Sequence, residues 1–366
     1  MCYHGPALRI LVDYRPALRA RTGVGEYVHE IAGALARRLA PPDELVLFSS
    51  SWKDRIPSSA PPGRRVDARV PVRVLNTLWH RFEAPAVERF AGPVDIAHSF
   101  HPLLLPAARA AQIVTVHDLD FLDHPERTER EIRRDYPSLA AGHARRAAAV
   151  VAISQFTAGE VERRFGVPRD RIVICEVGAP AWPARSAPAP RGPILFIGTL
   201  EPRKNVGMLL QAYAELLASV RDAPPLWLAG GATDAAADWL RAIGEPPLAG
   251  HVQHLGYVES DHRYDLYRQA SMFVLPSHLE GFGIPLLEAM TVGVPAIVSN
   301  RGALPEVAGG AAQVIEDAGG LAAAMRRYLD DPAASAAAVS RGLERARHYT
   351  WDASAATLLD LYRRLA

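Results

Sequence analysis

The chain has 366 residues, enough for two domains of ordinary size, each with its own apolar core. Its 41 basic and 40 acidic side chains leave a formal net charge of +1, which argues against a general nucleic-acid binder. Cys2 and Cys175 are the only cysteines, so neither a disulfide framework nor a cysteine zinc site is available and a reducing cytoplasm is expected; no apolar run is long enough to span a bilayer, and the opening residues lack a secretory leader's pattern.

The first strand is expected over 8–13 and an amphipathic helix over 25–39, with Tyr27, Val28, Ile31 and Leu35 on its apolar side. The loop between them ends in Thr22-Gly23-Val24-Gly25; taken alone, Gly23 and Gly25 read as turn and helix-start glycines. Strands follow over 45–49 and 68–74, then a helix over 75–90 and short buried strands over 95–99 and 112–117. The last of these ends in Val116-His117-Asp118-Leu119, which brings His117 to the carboxyl end of a parallel strand, where ligand-contacting residues collect in open α/β sheets. Residues 125–148 carry Arg127, Arg130, Arg133, Arg134, Arg145 and Arg146 and read as one or two exposed helices broken at Pro137. That surface is either a solvated face with local ion pairs or a basic face for anionic lipid or a lipid-linked acceptor. A strand over 150–153, a helix capped by Ser154 and ending near Phe165, and a strand over 171–175 complete this half.

Residues 178–193 are dominated by proline and small residues, which excludes helix and sheet interior and marks a linker. The second half restarts with a strand over 194–197, the turn Gly198-Thr-Leu-Glu-Pro-Arg-Lys-Asn205 and a helix over 206–220. Strands over 226–229 and 251–255 alternate with helices over 234–243 and 260–270; Gly230-Gly231 and Gly256-Tyr257-Val258 follow the two strands. Nearly every basic residue is arginine. Lys53 and Lys204 are the only lysines, and Asn76, Asn205 and Asn300 the only asparagines, so Lys204-Asn205 stands against the compositional drift. Arg203 and Lys204 lie where a turn becomes a helix, and a cation there opposes the helix dipole unless an anion lies between them.

The densest stretch is 273–300, FVLPSHLEGFGIPLLEAMTVGVPAIVSN. An apolar run over 272–276 reads as a buried strand, Gly281 and Gly283 loosen the next turn, Pro285 suits the first position of a helix, and a second apolar run over 294–298 follows Gly293. This is a βαβ unit with its loop and helix start at the carboxyl end of the sheet. Glu280 stands in that loop and Glu288 among Leu286, Leu287, Ala289 and Met290. A carboxylate in such apolar company needs hydrogen-bond donors, and sugar hydroxyls are suitable ones. A short strand over 313–315, helices over 320–329 and 332–348, and a terminal amphipathic helix begun by Thr350-Trp351-Asp352 close the chain. The alternation of strand and helix in both halves is the pattern of two doubly wound sheets.

Glu280 and Glu288, set in EGFGIPLLEAM between two strands, resemble the E-x7-E motif of the retaining glycosyltransferases of the GT-B fold, specifically family 4. The resemblance is dense over 198–306 and lighter at Gly23 to Gly25, His117-Asp118 and Ser154. It implies an α/β fold of two Rossmann-like, doubly wound domains facing across a cleft: an acceptor-side domain over 1–183, a donor domain over 184–349, and a terminal helix over 350–366 that crosses back to the first. It places Glu280 on the donor sugar and Glu288 on the ribose diol, with Gly281 and the amides of Phe282, Gly283 and Ile284 near donor oxygens. It assigns the donor diphosphate to Arg203 and Lys204, reached from the other domain by Gly23 and Gly25. His117 would touch the donor sugar or the acceptor side, while Gly230 and the turn holding Tyr257 and Val258 would wall the base. Many relatives carry an arginine directly after the glycine matching Gly198; this chain has Thr199 there, which shifts phosphate charge to Arg203.

The implied activity is a hexosyl transfer with retention, from a nucleotide diphosphosugar to a hydroxyl of a sugar, lipid-linked or small-molecule acceptor, in polysaccharide, glycolipid or other glycoconjugate biosynthesis. No cofactor beyond that co-substrate is implied. No D-x-D signature stands where it would face phosphate, so Lys204, Arg203 and helix dipoles are expected to replace a metal, and His117, Lys204, Arg203 and Glu280 to form the catalytic set. Two alternatives share the donor site: a GT-B sugar-nucleotide epimerase and a non-catalytic sugar-nucleotide-binding protein. A cytoplasmic location is expected, with peripheral contact at the inner face of the membrane if the basic stretch meets lipid.

Overall fold

The computed structural model describes residues 7–18, 23–127 and 130–366. They form two compact units, Met1–Gly178 with Thr350–Ala366, and Ala179–Tyr349. The proline-rich segment after Gly178 therefore belongs to the second unit.

The first unit is built on β1 (Arg9–Asp13), β2 (Glu44–Ser49), β3 (Arg64–Asp67), β4 (Ile96–Ser99), β5 (Ala111–Val116), β6 (Ala149–Ala152) and β7 (Ile172–Ile174). They lie in the order β3-β2-β1-β4-β5-β6-β7, all parallel. Parallel strands joined by crossovers are covered on both faces, and β4 and β6 are buried at every position for that reason. Winding runs outward in both directions from β1 and β4, so the switch point of this sheet lies between them.

Three local expectations are corrected. The strand placed over 68–74 is instead β3 at Arg64–Asp67, and Pro71 caps a helix, Val72–Phe82. The single helix over 75–90 is two, Val72–Phe82 and Glu88–Ala91, because Glu83 takes a left-handed backbone (φ 50°) that ends the first. Pro137 does not break the basic stretch: Arg130–Arg146 is one helix with Pro137 inside it. Two of the charges there are paired locally, Arg134 with Asp135 and Arg146 with Glu83.

The terminal helix, Trp351–Leu365, packs in the first unit as expected. Its apolar stripe, Leu358, Leu359, Leu361 and Tyr362, is buried, and a polar bolt fixes the register. Fully buried His98 meets the Tyr362 hydroxyl at 2.6 Å through Nδ1 and the Thr115 hydroxyl at 2.8 Å through Nε2.

The second unit carries β8 (Ile194–Ile197), β9 (Leu226–Ala229), β10 (Val252–Gly256), β11 (Met272–Leu275), β12 (Ala296–Ser299) and β13 (Gln313–Ile315). Their order is β10-β9-β8-β11-β12-β13, again parallel, with the switch point between β8 and β11. Among the described residues, no helix is long and apolar enough to cross a membrane.

Candidate active site

The two strands that flank the second switch point each deliver part of one charged cluster. After β8, the short helical turn Pro202–Lys204 ends at Asn205, whose backbone is left-handed (φ 54°) as the helix Val206–Ser219 begins. Asparagine tolerates that conformation better than most side chains, which accounts for Asn205 in a chain that otherwise avoids the residue. After β11 comes the loop 276–283. The two loops are tied together: the His278 amide donates to the Arg203 carbonyl at 2.8 Å, and Asn205 Nδ2 reaches the Pro276 carbonyl at 3.3 Å. A third loop, after β12, closes on the same place, with the Ala303 amide 2.9 Å from the Glu280 carbonyl.

This framework brings Arg203, Lys204 and Glu280 together. Glu280 is buried; Lys204 Nζ lies 2.6 Å from its Oε1, the Ser277 hydroxyl 2.7 Å from the same oxygen, and Arg203 Nη1 3.3 Å from Oε2. Arg203 also meets Glu201 at 3.1 Å. Burial alone would raise the Glu280 pKa, but the Lys204 and Arg203 charges and the hydrogen bonds outweigh it and hold the carboxyl below its ordinary range. Glu280 is thus ionised at neutral pH and engaged by the protein's own cations. Lys204 is itself buried, and its stem runs beneath Gly198, where an added Cβ would lie 3.4 Å from the lysine Cε.

Gly230 and Gly256 extend the same edge. The Gly198 amide donates to the Ala229 carbonyl and the Gly230 amide to the Gly256 carbonyl, so the carboxyl ends of β8, β9 and β10 stand side by side. Gly230 has φ 148°, and a Cβ there would fall 2.0 Å from the Gly198 carbonyl oxygen. Tyr257 is half exposed, and Val258 follows it beyond the edge strand β10. Gly281, Phe282, Gly283 and Ile284 form the entry to the helix Ile284–Val292; Gly283 caps it with φ 97°, and the Phe282 ring is buried edge-on against Tyr349.

Glu288 is also buried, on that helix, but its donors come from the protein. Arg263 Nη2 lies 3.1 Å from Oε1 and the Tyr267 hydroxyl 2.8 Å from Oε2. Arg263 and Tyr267, like Ser277 and Glu201, carry no motif in the sequence that marks them for the site. Their one sequence signal is spacing: Arg263 and Tyr267 are four apart on one helix and therefore share a face.

Gly23, Gly25 and His117 belong to the first unit. Thr22 lies outside the described residues. Gly23 (φ 32°) begins the helix Gly23–Arg38, and an added Cβ at Gly25 would meet the Pro16 carbonyl oxygen at 2.7 Å. His117 follows β5 as expected. Its Nε2 lies 3.0 Å from the Phe100 carbonyl, which requires the proton on Nε2 and leaves Nδ1 the acceptor nitrogen; the Tyr27 ring packs edge-on against it. Beside it, at the end of β1, buried Asp13 holds His101 at 3.1 Å, a pair the sequence did not reveal.

Burial lowers His98 to about 3 and His117 to about 4. Both are neutral at pH 7. As pH falls below about 6.5 the unfolded chain takes up protons that these folded imidazoles refuse, so their contribution to stability is complete above that value and is lost toward pH 4. The midpoint of thermal unfolding is expected to fall across this window, and His117→Gln to flatten the decline. An unchanged slope in that variant would remove the assignment.

A sequence model described as Glycosyltransferase Family 4 matches residues 21–225, and one described as Glycosyl transferases group 1 matches residues 191–331. The O-antigen chain mannosyltransferase B of Escherichia coli is 31% identical over 98% of this chain and 100% of its own length. Two solved structures share the fold at low identity. The sucrose-phosphate synthase of Thermosynechococcus elongatus superposes with a TM-score of 0.76 at 20% identity, over 98% of this chain and 99% of its own. The HepE protein of Anabaena, solved with UDP and glucose, gives 0.67 at 16%, over 97% of this chain and 100% of its own. These matches support the GT-B fold and a transferase, and the epimerase alternative drops away.

Proposed function

The chain belongs to glycosyltransferase family 4, and from that premise we propose that it is a retaining, metal-independent hexosyltransferase. It takes a nucleotide diphosphosugar and passes the sugar, mannose by likeness to the Escherichia coli relative, to a hydroxyl of a surface polysaccharide or related glycoconjugate. The observation that carries this reading is the convergence of Lys204, Arg203 and Glu280 at the β8/β11 switch point.

Transfer with retention passes through an oxocarbenium-like state as negative charge develops on the departing diphosphate. Stabilising that charge with fixed cations is worth most in a site already ordered before the reaction. Glu280 supplies the order. Its two oxygens hold Lys204, Ser277 and Arg203 in one arrangement, a role that suits a positioning carboxylate better than a covalent nucleophile. This favours same-face attack assisted by the leaving phosphate. On the first unit, neutral His117 offers Nδ1 as an acceptor for a sugar hydroxyl.

The test is to offer UDP-, GDP-, ADP- and dTDP-hexoses with and without EDTA and to read the anomeric configuration of the product. One donor is expected to be consumed, with retention and at an undiminished rate in EDTA. An inverted product, or activity restored only by Mg²⁺ or Mn²⁺, would overturn the corresponding part.

A further inference from the structure

Glu288 lies in the middle of the helix Ile284–Val292, with its side chain 3% exposed. A carboxylate so placed is costly unless donors come to it, and the neighbouring helix Ser260–Gln269 brings two. Arg263 binds Oε1 at 3.1 Å and Tyr267 binds Oε2 at 2.8 Å, so each oxygen is fixed by a different side chain and the plane of the carboxylate is set. The Tyr267 hydroxyl also lies 3.0 Å from the Pro285 carbonyl, so its one proton is shared between Glu288 and the first turn of the helix that bears it. Its ring is fully buried, between Trp182 at 6.0 Å and Phe273 at 5.6 Å, so the hydroxyl has little freedom. Trp182 comes from the segment that follows Gly178, and Arg185 of the same segment bonds the Ala270 carbonyl at 2.6 Å just beyond the Tyr267 turn.

We infer that Arg263 and Tyr267 are positioning residues that hold Glu288 in one orientation to accept the hydroxyls of the donor ribose. The inference rests on the assignment of Glu288 to the ribose. Donors on both oxygens set the plane in which the carboxylate presents its lone pairs. Arg263 brings a charged donor to Oε1, which holds a carboxylate oxygen more firmly than a neutral donor would.

The test compares binding of UDP and GDP with their 2′-deoxy counterparts by calorimetry, in the wild type, Glu288→Ala, Tyr267→Phe, Arg263→Gln and Arg263→Lys. For whichever nucleotide binds, the wild type should prefer the ribose form by about tenfold or more. Tyr267→Phe and Arg263→Gln should each cut that preference to about threefold or less, by weakening the ribose form and leaving the deoxy form alone, and Arg263→Lys should restore part of it. A full preference in both variants, with only a lowered thermal midpoint, would make the contacts purely structural and overturn the inference while leaving Glu288 on the ribose. No preference in the wild type would overturn the ribose assignment and the inference with it. Should buried Tyr267 not tolerate phenylalanine, partly exposed Arg263 carries the comparison alone.

Discussion

Replacing Lys204 with alanine is expected to lower kcat/KM by at least about a hundredfold, roughly 2.8 kcal/mol, with most of the loss in kcat. Two features of its surroundings set this size. Lys204 is buried with its ammonium 2.6 Å from Glu280, so the charge sits where screening by water is weak. It is also held before any substrate arrives, which makes it a fixed element of charge rather than one that must be ordered during reaction. Removing it strands part of the Glu280 charge. Breaking a buried pair typically costs about 3–5 kcal/mol of stability, but Arg203 and Ser277 remain on the carboxylate here and should keep the loss at the low end. Lys204→Arg should cost about tenfold, since a planar fork cannot follow the narrow path of the lysine stem beneath Gly198. Steady-state kinetics beside thermal unfolding separate the two effects. An alanine variant with wild-type kcat would remove Lys204 from the chemistry, and an arginine variant with full turnover would show that only charge matters.

The second large effect is expected at Gly230. Its backbone lies in a region that favours glycine, and an added methyl would fall 2.0 Å from the Gly198 carbonyl oxygen and 3.1 Å from the Thr199 amide. Neither neighbour is a flexible side-chain end. Overpacking and backbone strain together should cost Gly230→Ala about 3 kcal/mol or more, a fall of about 10 °C in Tm. The turn from Gly198 toward Lys204 would be displaced as well, so activity should drop even below the new melting point. Gly231→Ala is the control: its added methyl meets nothing within 4 Å, and a change of no more than about 0.5 kcal/mol is expected. Similar melting points for the two variants would show that the β8 and β9 ends can separate without penalty.

What the sequence determined by itself was whatever depends on residues close together in the chain. Alternating apolar strands and amphipathic helices specified two doubly wound parallel sheets, because each segment must bury its own apolar face. The segment FVLPSHLEGFGIPLLE marked strand, glycine turn and helix start in one short run, and Lys204-Asn205 stood out against an arginine-rich background; the left-handed backbone at Asn205 gives that asparagine a physical reason. Local signals failed where they were ambiguous. Residues 68–74 are apolar enough for a strand, yet Pro71 opens a helix; Pro137 looks like a break, yet the helix Arg130–Arg146 runs through it. Only the tertiary structure decided who holds the two glutamates. Glu280 takes Lys204 from 76 residues away, and Glu288 takes Tyr267 from 21 residues away, through a strand order that sets β8 against β11 and one helix beside another. A buried carboxylate announces in sequence that it needs donors, but the donor is whichever side chain the packed sheet delivers, and no spacing rule along the chain contains that choice.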